Sequence, residues 1–238
     1  MELRSNRPFK FPMTKAERIL GCVYLLVHAV ALPLFLPRLC VLVFGNGITT
    51  AEMNLVMYAV SFLVVLIGMF RFLRASFADL FDDIVRSLQG MVLGYAFYYV
   101  MMLAVSLLIL LVQSGIANPN TDAIMQETRL NKNVMIVVAV LFAPIVEEAL
   151  FRGAVFGTIR LKSRLAAYIV SAALFAIYHL WQYFVVDGFS WTLAIYLLQY
   201  IPPSIALAWS YERSGSIWAP IVIHALINLI SITVSLNL

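Results

Sequence analysis

Seven long apolar runs, separated by short polar or basic stretches, set the pattern of this chain. They cover about 19–43, 54–73, 90–113, 134–156, 165–186, 191–209 and 217–236. An apolar run of about 20 residues predicts a membrane-spanning helix. The runs are continuously apolar instead of alternating, which excludes a transmembrane β-barrel. The fold class expected is all-α, a polytopic helical membrane protein of about seven to eight transmembrane helices. The range comes from the first run, where Pro33, Pro37 and Arg38 fall. Proline removes a backbone donor, so this run is either one kinked helix or two segments. Segment 75–89 has a different rhythm. Phe77, Leu80, Phe81, Ile84, Val85 and Leu88 recur at helical spacing, largely opposite Asp79, Asp82, Asp83 and Arg86. It reads as an amphipathic helix, either lying on the inner membrane surface or packed on the bundle as a connector. Loop 114–133 is polar, and Asn118-Pro119-Asn120 predicts a turn.

Composition narrows the class further. The 238 residues are 63% hydrophobic and 12% charged, with mean hydropathy +0.95, whereas soluble domains carry about 25% charged residues. One helical membrane domain, 1–238, accounts for the whole chain, with no repeat and no cleavable signal peptide expected. The formal charge of +4 gives no case for a nucleic-acid partner, because the basic residues sit at the ends of runs. There they orient the stack. Arg4, Arg7, Lys10, Lys15 and Arg18 precede the first run and place the N-terminus in the cytoplasm. Arg71, Arg74, Arg86, Arg160, Lys162, Arg164 and Arg213 then fall on the same side. Loops 44–53 and 187–190 carry no Lys or Arg, and only Arg129 and Lys132 in loop 114–133 lie on the outer side. Cys22 and Cys40 share one run and read as packing residues, with no disulfide or cysteine metal site.

Candidate chemistry enters as polar residues inside apolar runs. Charge near a bilayer centre costs about 2.5–3.5 kcal/mol on insertion scales, yet run 134–156 holds Glu147, Glu148 and Arg152. Glu148 and Arg152 stand at i and i+4 and can pair. Glu147 projects about 100° away, without a basic partner on its own helix. Pro144 removes one backbone hydrogen bond from the same helix, which either loosens it and exposes a carbonyl or merely kinks it. His179 lies within the fifth run. His224 and Asn228 share a face of the last one. At 1.5 Å per residue, Glu147 and His224 reach similar depth, roughly 10–14 Å from the inner boundary. His179 is nearer the midplane. Three helices can thus present acid, imidazoles and amide to one cavity, expected to open inward. His28 has no acid near it in its own run and reads as packing or a helix contact. No His-Glu-x-x-His or Gly-x-Ser-x-Gly occurs, Ser114-Gly115 has no partner base, and every aspartate lies outside the runs.

In that order, Glu147-Glu148-x-x-x-Arg152, Phe175-x-x-x-His179 and His224-x-x-x-Asn228, with Trp218-Ala-Pro220 leading into the last histidine, resemble the CPBP family. These are the CAAX-protease and bacteriocin-processing (Abi) membrane proteins, related to the type II CAAX prenyl endopeptidase. The resemblance covers about 135–235, a CPBP/Abi-like catalytic core, with no departure at the polar positions. It implies an intramembrane endopeptidase cutting peptides near the cytosolic face. Glu147 would activate water, and His179 would hold or share it. His224 and Asn228 would stabilise the oxyanion, while Glu148 and Arg152 order the site. No cofactor is expected. The alternatives are a zinc metalloprotease holding the ion with Glu147, His179 and His224, or a non-catalytic immunity or scaffold member. A transporter is disfavoured, because the second and third runs offer almost no polar pathway. The partners expected are a peptide or membrane-protein substrate and the lipid bilayer, in a bacterial plasma membrane.

Overall fold

The computed structural model describes Phe9 and residues 11–112 and 118–236. Arg4, Arg7, Lys10 and the Ser114-Gly115 pair lie outside the described residues. Among the described residues there are helices and no strand. In chain order they are α1 Lys15–Phe44, α2 Thr50–Gly68, α3 Phe70–Asp82, α4 Ile84–Val112, α5 Pro119–Leu130, α6 Lys132–Arg160, α7 Arg164–Asp187, α8 Trp191–Ser214 and α9 Trp218–Leu236. Six of them, α1, α2, α4, α6, α7 and α8, are long and apolar enough to cross a membrane, and α9 contributes a shorter apolar stretch, Trp218–Val234.

The first run is one helix, so no eighth membrane segment arises from it. A π-helical turn, Val27–Ala31, shifts the hydrogen bonding by one residue just before Pro33, and Leu32 N–H reaches back to the Val27 carbonyl. The start of α1 is capped reciprocally by Thr14 and Glu17, and that of α2 by Thr49 and Glu52. Glu17 does more. Its second carboxylate oxygen accepts from the Phe72 N–H at 2.8 Å, so one buried acid caps both α1 and α3.

Two segment assignments change. Segment 75–89 is not one helix. Asp83, at φ −144° and ψ 72°, divides it, and Ile84, Val85 and Leu88 open α4. One face of α3 is tied to the bundle: Trp218 Nε1–H donates to the Leu73 carbonyl and Ser216 Oγ–H to the Ser76 carbonyl. The predicted apolar face, Phe77 and Phe81, stays exposed. Most of the polar stretch 114–133 is helix, because Asn118 caps it and Pro119 occupies its first turn, where no donor is needed.

Small residues let the helices approach. A Cβ on Gly94 of α4 would stand 2.9 Å from Ser210 Cβ of α8, and one on Gly90 would stand 3.2 Å from Ser214 Cβ. Gly21 of α1 meets Ala154 of α6 in the same way. Without a hydrophobic driving force in lipid, such close backbone contact is what holds membrane helices together. Short connections alternate the membrane helices, so the bundle has two ends. The α5 end carries loops 45–49 and 188–190, and the basic end carries 161–163 and 215–217. The large buried side chains gather toward the basic end, among them Phe72, Phe151, Phe156, Tyr211 and Ile217.

Candidate active site

The helix that carries the acids is irregular where they sit. In α6 two π-helical stretches, Val137–Phe142 and Glu148–Phe156, flank a short α-helical piece with Pro144. Proline 144 has no N–H to return to the preceding turn. The Ala139 carbonyl in that turn accepts instead from Asn228 Nδ2 of α9, at 2.7 Å. The carbonyl expected to be freed by Pro144 is therefore real, and Asn228 is its partner.

Glu148 and Arg152 are fully buried and paired at 2.9 Å. The Arg152 guanidinium also lies over the Phe175 ring, 4.2 Å from its centroid. Glu148 Oε1 accepts a second bond, from His224 Nδ1 at 2.8 Å. This fixes the ring: the proton sits on Nδ1, and Nε2 points at Glu147 Oε2, 3.9 Å away. That distance is too long for a direct hydrogen bond. Glu147 Oε2 is buried without a protein partner. His179 donates from Nδ1 to the Phe175 carbonyl at 2.8 Å and stacks on Tyr200 at 4.3 Å between centroids. Its Nε2 is likewise left as an acceptor. Glu147, His179, His224 and Asn228 line one cavity of about 530 Å³.

The other oxygen of Glu147 is held from the first half of the chain. Tyr58 donates to Glu147 Oε1 at 2.8 Å, Tyr58 and Tyr178 hydroxyls meet at 2.9 Å, and Tyr178 meets His28 Nε2 at 3.0 Å. His28 Nδ1 then meets Ser61 at 2.9 Å, and Tyr24 donates to Ser61 at 3.0 Å. The ends fix every proton between them. An ionised carboxylate only accepts, so Tyr58 donates to it and accepts from Tyr178. Tyr178 in turn accepts from His28 Nε2–H, which leaves His28 Nδ1 to accept from Ser61. One continuous chain thus points its donors from Tyr24 to Glu147. His28 is a helix contact, as read from the sequence, but it is also linked to the site. Sequence reasoning missed Tyr58 and Tyr178 altogether.

Residues 129–230 match the family model of the Rce1-like type II CAAX prenyl endopeptidases. The UPF0177 protein YxdF of Lactococcus lactis subsp. lactis is 34% identical over 89 residues, which is 37% of this chain and 43% of that protein. The chain thus spans less than half the length of this curated relative. No solved structure matches. Together these matches support a CPBP/Abi family member. The Rce1-like segment supplies Glu147, Glu148, Arg152, His179, His224 and Asn228, whereas Tyr58 and His28 come from outside it.

The cavity runs along the bundle in one direction. The cavity does not run toward the basic end. Its floor is Glu147, Phe175, Leu207 and His224, and from there its walls follow each helix toward α5, whose Asn120, Ile124 and Glu127 form the roof. Among the described residues no three His, Cys, Asp or Glu side chains make a group that could hold a metal ion.

Proposed function

We propose that this protein is an intramembrane endopeptidase that cleaves peptide or membrane-protein substrates by glutamate-activated attack of water. One observation carries the reading. Glu147 has one carboxylate oxygen anchored by Tyr58 and the other without a protein hydrogen bond, 3.9 Å from His224 Nε2, and the residue lines a cavity inside a membrane bundle. The resemblance to prenyl endopeptidases supports the same class of reaction.

The chemistry follows from the acceptors. Glu147 Oε2 and His224 Nε2 both accept, so a water between them gives each a hydrogen bond and turns its lone pairs to the cavity. Glu147 takes a proton as the water oxygen bonds to the peptide carbonyl carbon. The carbonyl oxygen gains the negative charge. Asn228 Nδ2 keeps a second N–H for it, the first being engaged by Ala139. His224, its Nδ1–H held by Glu148, keeps Nε2 as the acceptor for the hydrogen that stays on the attacking oxygen. As the C–N bond breaks, the proton on Glu147 passes to the departing amine. The products are one carboxylic acid and one amine, and the carboxylate is regenerated.

Replacing Glu147 with Gln keeps the shape and the Tyr58 contact but removes the base. The expected result is loss of peptide cleavage with unchanged thermal stability in detergent. A Glu147→Gln variant that cleaves normally overturns the proposal. A scaffold or immunity role would instead survive this substitution in a partner assay. Cleavage that chelator abolishes and zinc restores would favour the metal-dependent alternative.

A further inference from the structure

We infer that the catalytic cavity is entered from the extracytoplasmic face, and that its substrates are extracytoplasmic stretches of polypeptide. The substrate class rests on the peptidase reading above, but the direction of entry does not. Three observations combine.

The first is which end is filled. Below Glu147 the α6 helix is sealed by the N-terminal segment: a Cβ on Gly153 would meet Phe72 and Met13, and one on Gly157 would strike the Phe11 ring. Phe9 adds edge contacts to Phe156 and Tyr211 at 6.2 and 5.3 Å. These aromatics pack the basic end, and among the described residues the lining of this cavity does not extend below the floor residues.

The second is charge. Among the described residues, Lys15, Arg18, Arg71, Arg74, Arg86, Arg160, Lys162, Arg164 and Arg213 lie at the basic end, against Arg38, Arg129 and Lys132 at the α5 end. Glu212 pairs with Arg160 and Arg164 at 2.5 and 2.8 Å, yet acidic neighbours contribute little to orientation. The short loops 45–49 and 188–190 carry no Lys or Arg. The basic end is therefore cytoplasmic, and the open end of the cavity faces outward.

The third is what the outer wall offers. Asn54, Asn118, Asn120, Gln182, Gln199 and Asn228 line the cavity. Uncharged amides pair with the N–H and C=O groups of an extended peptide, and a volume of a few hundred Å³ admits a short stretch of chain. Asn118 and Asn120 are clasped to Gln199 and Tyr200 at 2.6 and 3.1 Å, so the α5 roof rests on the wall that carries His179.

The test uses the full chain in bacterial cells, with Cys22 and Cys40 replaced by alanine. Gly47→Cys, Lys162→Cys and Asn54→Cys are each exposed to a membrane-impermeant maleimide in intact cells and in inverted vesicles. Labelling of Gly47→Cys and Asn54→Cys in cells, and of Lys162→Cys only in inverted vesicles, is the expected result. The opposite pattern, or an Asn54→Cys thiol reached only in inverted vesicles, overturns the inference. A peptide reporter is then tethered to either face of a carrier membrane helix. Cleavage only on the outer face supports the substrate class, and cleavage only on the inner face refutes it. If neither reporter is cut while the labelling is as expected, the outward entry stands and the peptidase reading fails.

Discussion

The hydrogen bond from Tyr58 to Glu147 gives the sharpest quantitative test. Tyr58→Phe removes one hydroxyl and leaves the ring, so packing against His28, at 5.3 Å between centroids, is kept. The lost bond is short, 2.8 Å, and its acceptor is a carboxylate. Bonds to charged groups are worth about 1.5–3 kcal/mol each. If that energy serves to hold Glu147 in line with its water, the turnover rate falls by about 10- to 150-fold, at 1.36 kcal/mol per decade. The assay is reporter cleavage in proteoliposomes, with kcat and KM resolved. The loss should sit in kcat, because Tyr58 acts through the base. Tyr178→Phe, one link further from Glu147, should cost less, and His28→Ala less again in rate though more in stability. A merely structural Tyr58 would shift the melting temperature and leave kcat intact. Undiminished kcat in a folded Tyr58→Phe protein refutes the argument. So does an equal fractional loss when Tyr58→Phe is added to whatever residual activity Glu147→Gln retains.

Further expectations follow from other contacts. Glu148→Gln should impair cleavage nearly as much as His224→Ala, because Glu148 sets the His224 tautomer through a 2.8 Å bond, and the double variant should be little worse than either; simple additivity of the two losses in a kinetic cycle would contradict this. Glu17→Ala removes the caps of α1 and α3 together, three backbone and hydroxyl donors losing one acceptor, and should lower stability by roughly 2–3 kcal/mol in a denaturation assay, with no loss expected if these contacts are dispensable. Asn228→Ala leaves the Ala139 carbonyl unpaired and should destabilise as well as slow the protein. Adding Pro144→Ala, which returns a backbone N–H to that turn, should restore part of the stability but not the rate.

Legibility in the sequence followed the range of the interactions. The Glu148–Arg152 pair is one helical turn apart, so spacing alone found it. Glu147 was set apart by the same arithmetic, and Pro144 announced a freed carbonyl. The match of depth among α6, α7 and α9 brought Glu147, His179 and His224 to one cavity, because rise per residue converts position into height. Rotation about each helix axis has no such ruler once π-turns enter, and α6 contains two of them. Tyr58, Tyr178 and His28 were invisible for a related reason. Their bonds join residues up to 150 positions apart, and a tyrosine in an apolar run looks like any large packing residue. The α5 roof was nearer to hand. Asn118-Pro119 is a helix-start signal as well as a turn signal, and the sequence reading chose the turn.

The direction of the cavity separates two kinds of knowledge. Heights of polar residues say where chemistry sits, but an opening is decided by which side is left unfilled. Filling depends on volume. Gly153 and Gly157 create grooves on α6, and Met13 and Phe11 occupy them because their side chains suit the space. Neither grooves nor plugs have a period that a hydropathy pattern records. On the other side, an amide-rich wall and a short polar helix keep the space from collapsing, since buried amides in lipid require partners. The floor follows from the same contrast. Glu147 lies at the boundary between a packed apolar half and a cavity lined by polar side chains, with one oxygen held by Tyr58 and the other without a protein hydrogen bond. On the proposed reading, a base placed there meets water and peptide bond from the same side, that of the cavity.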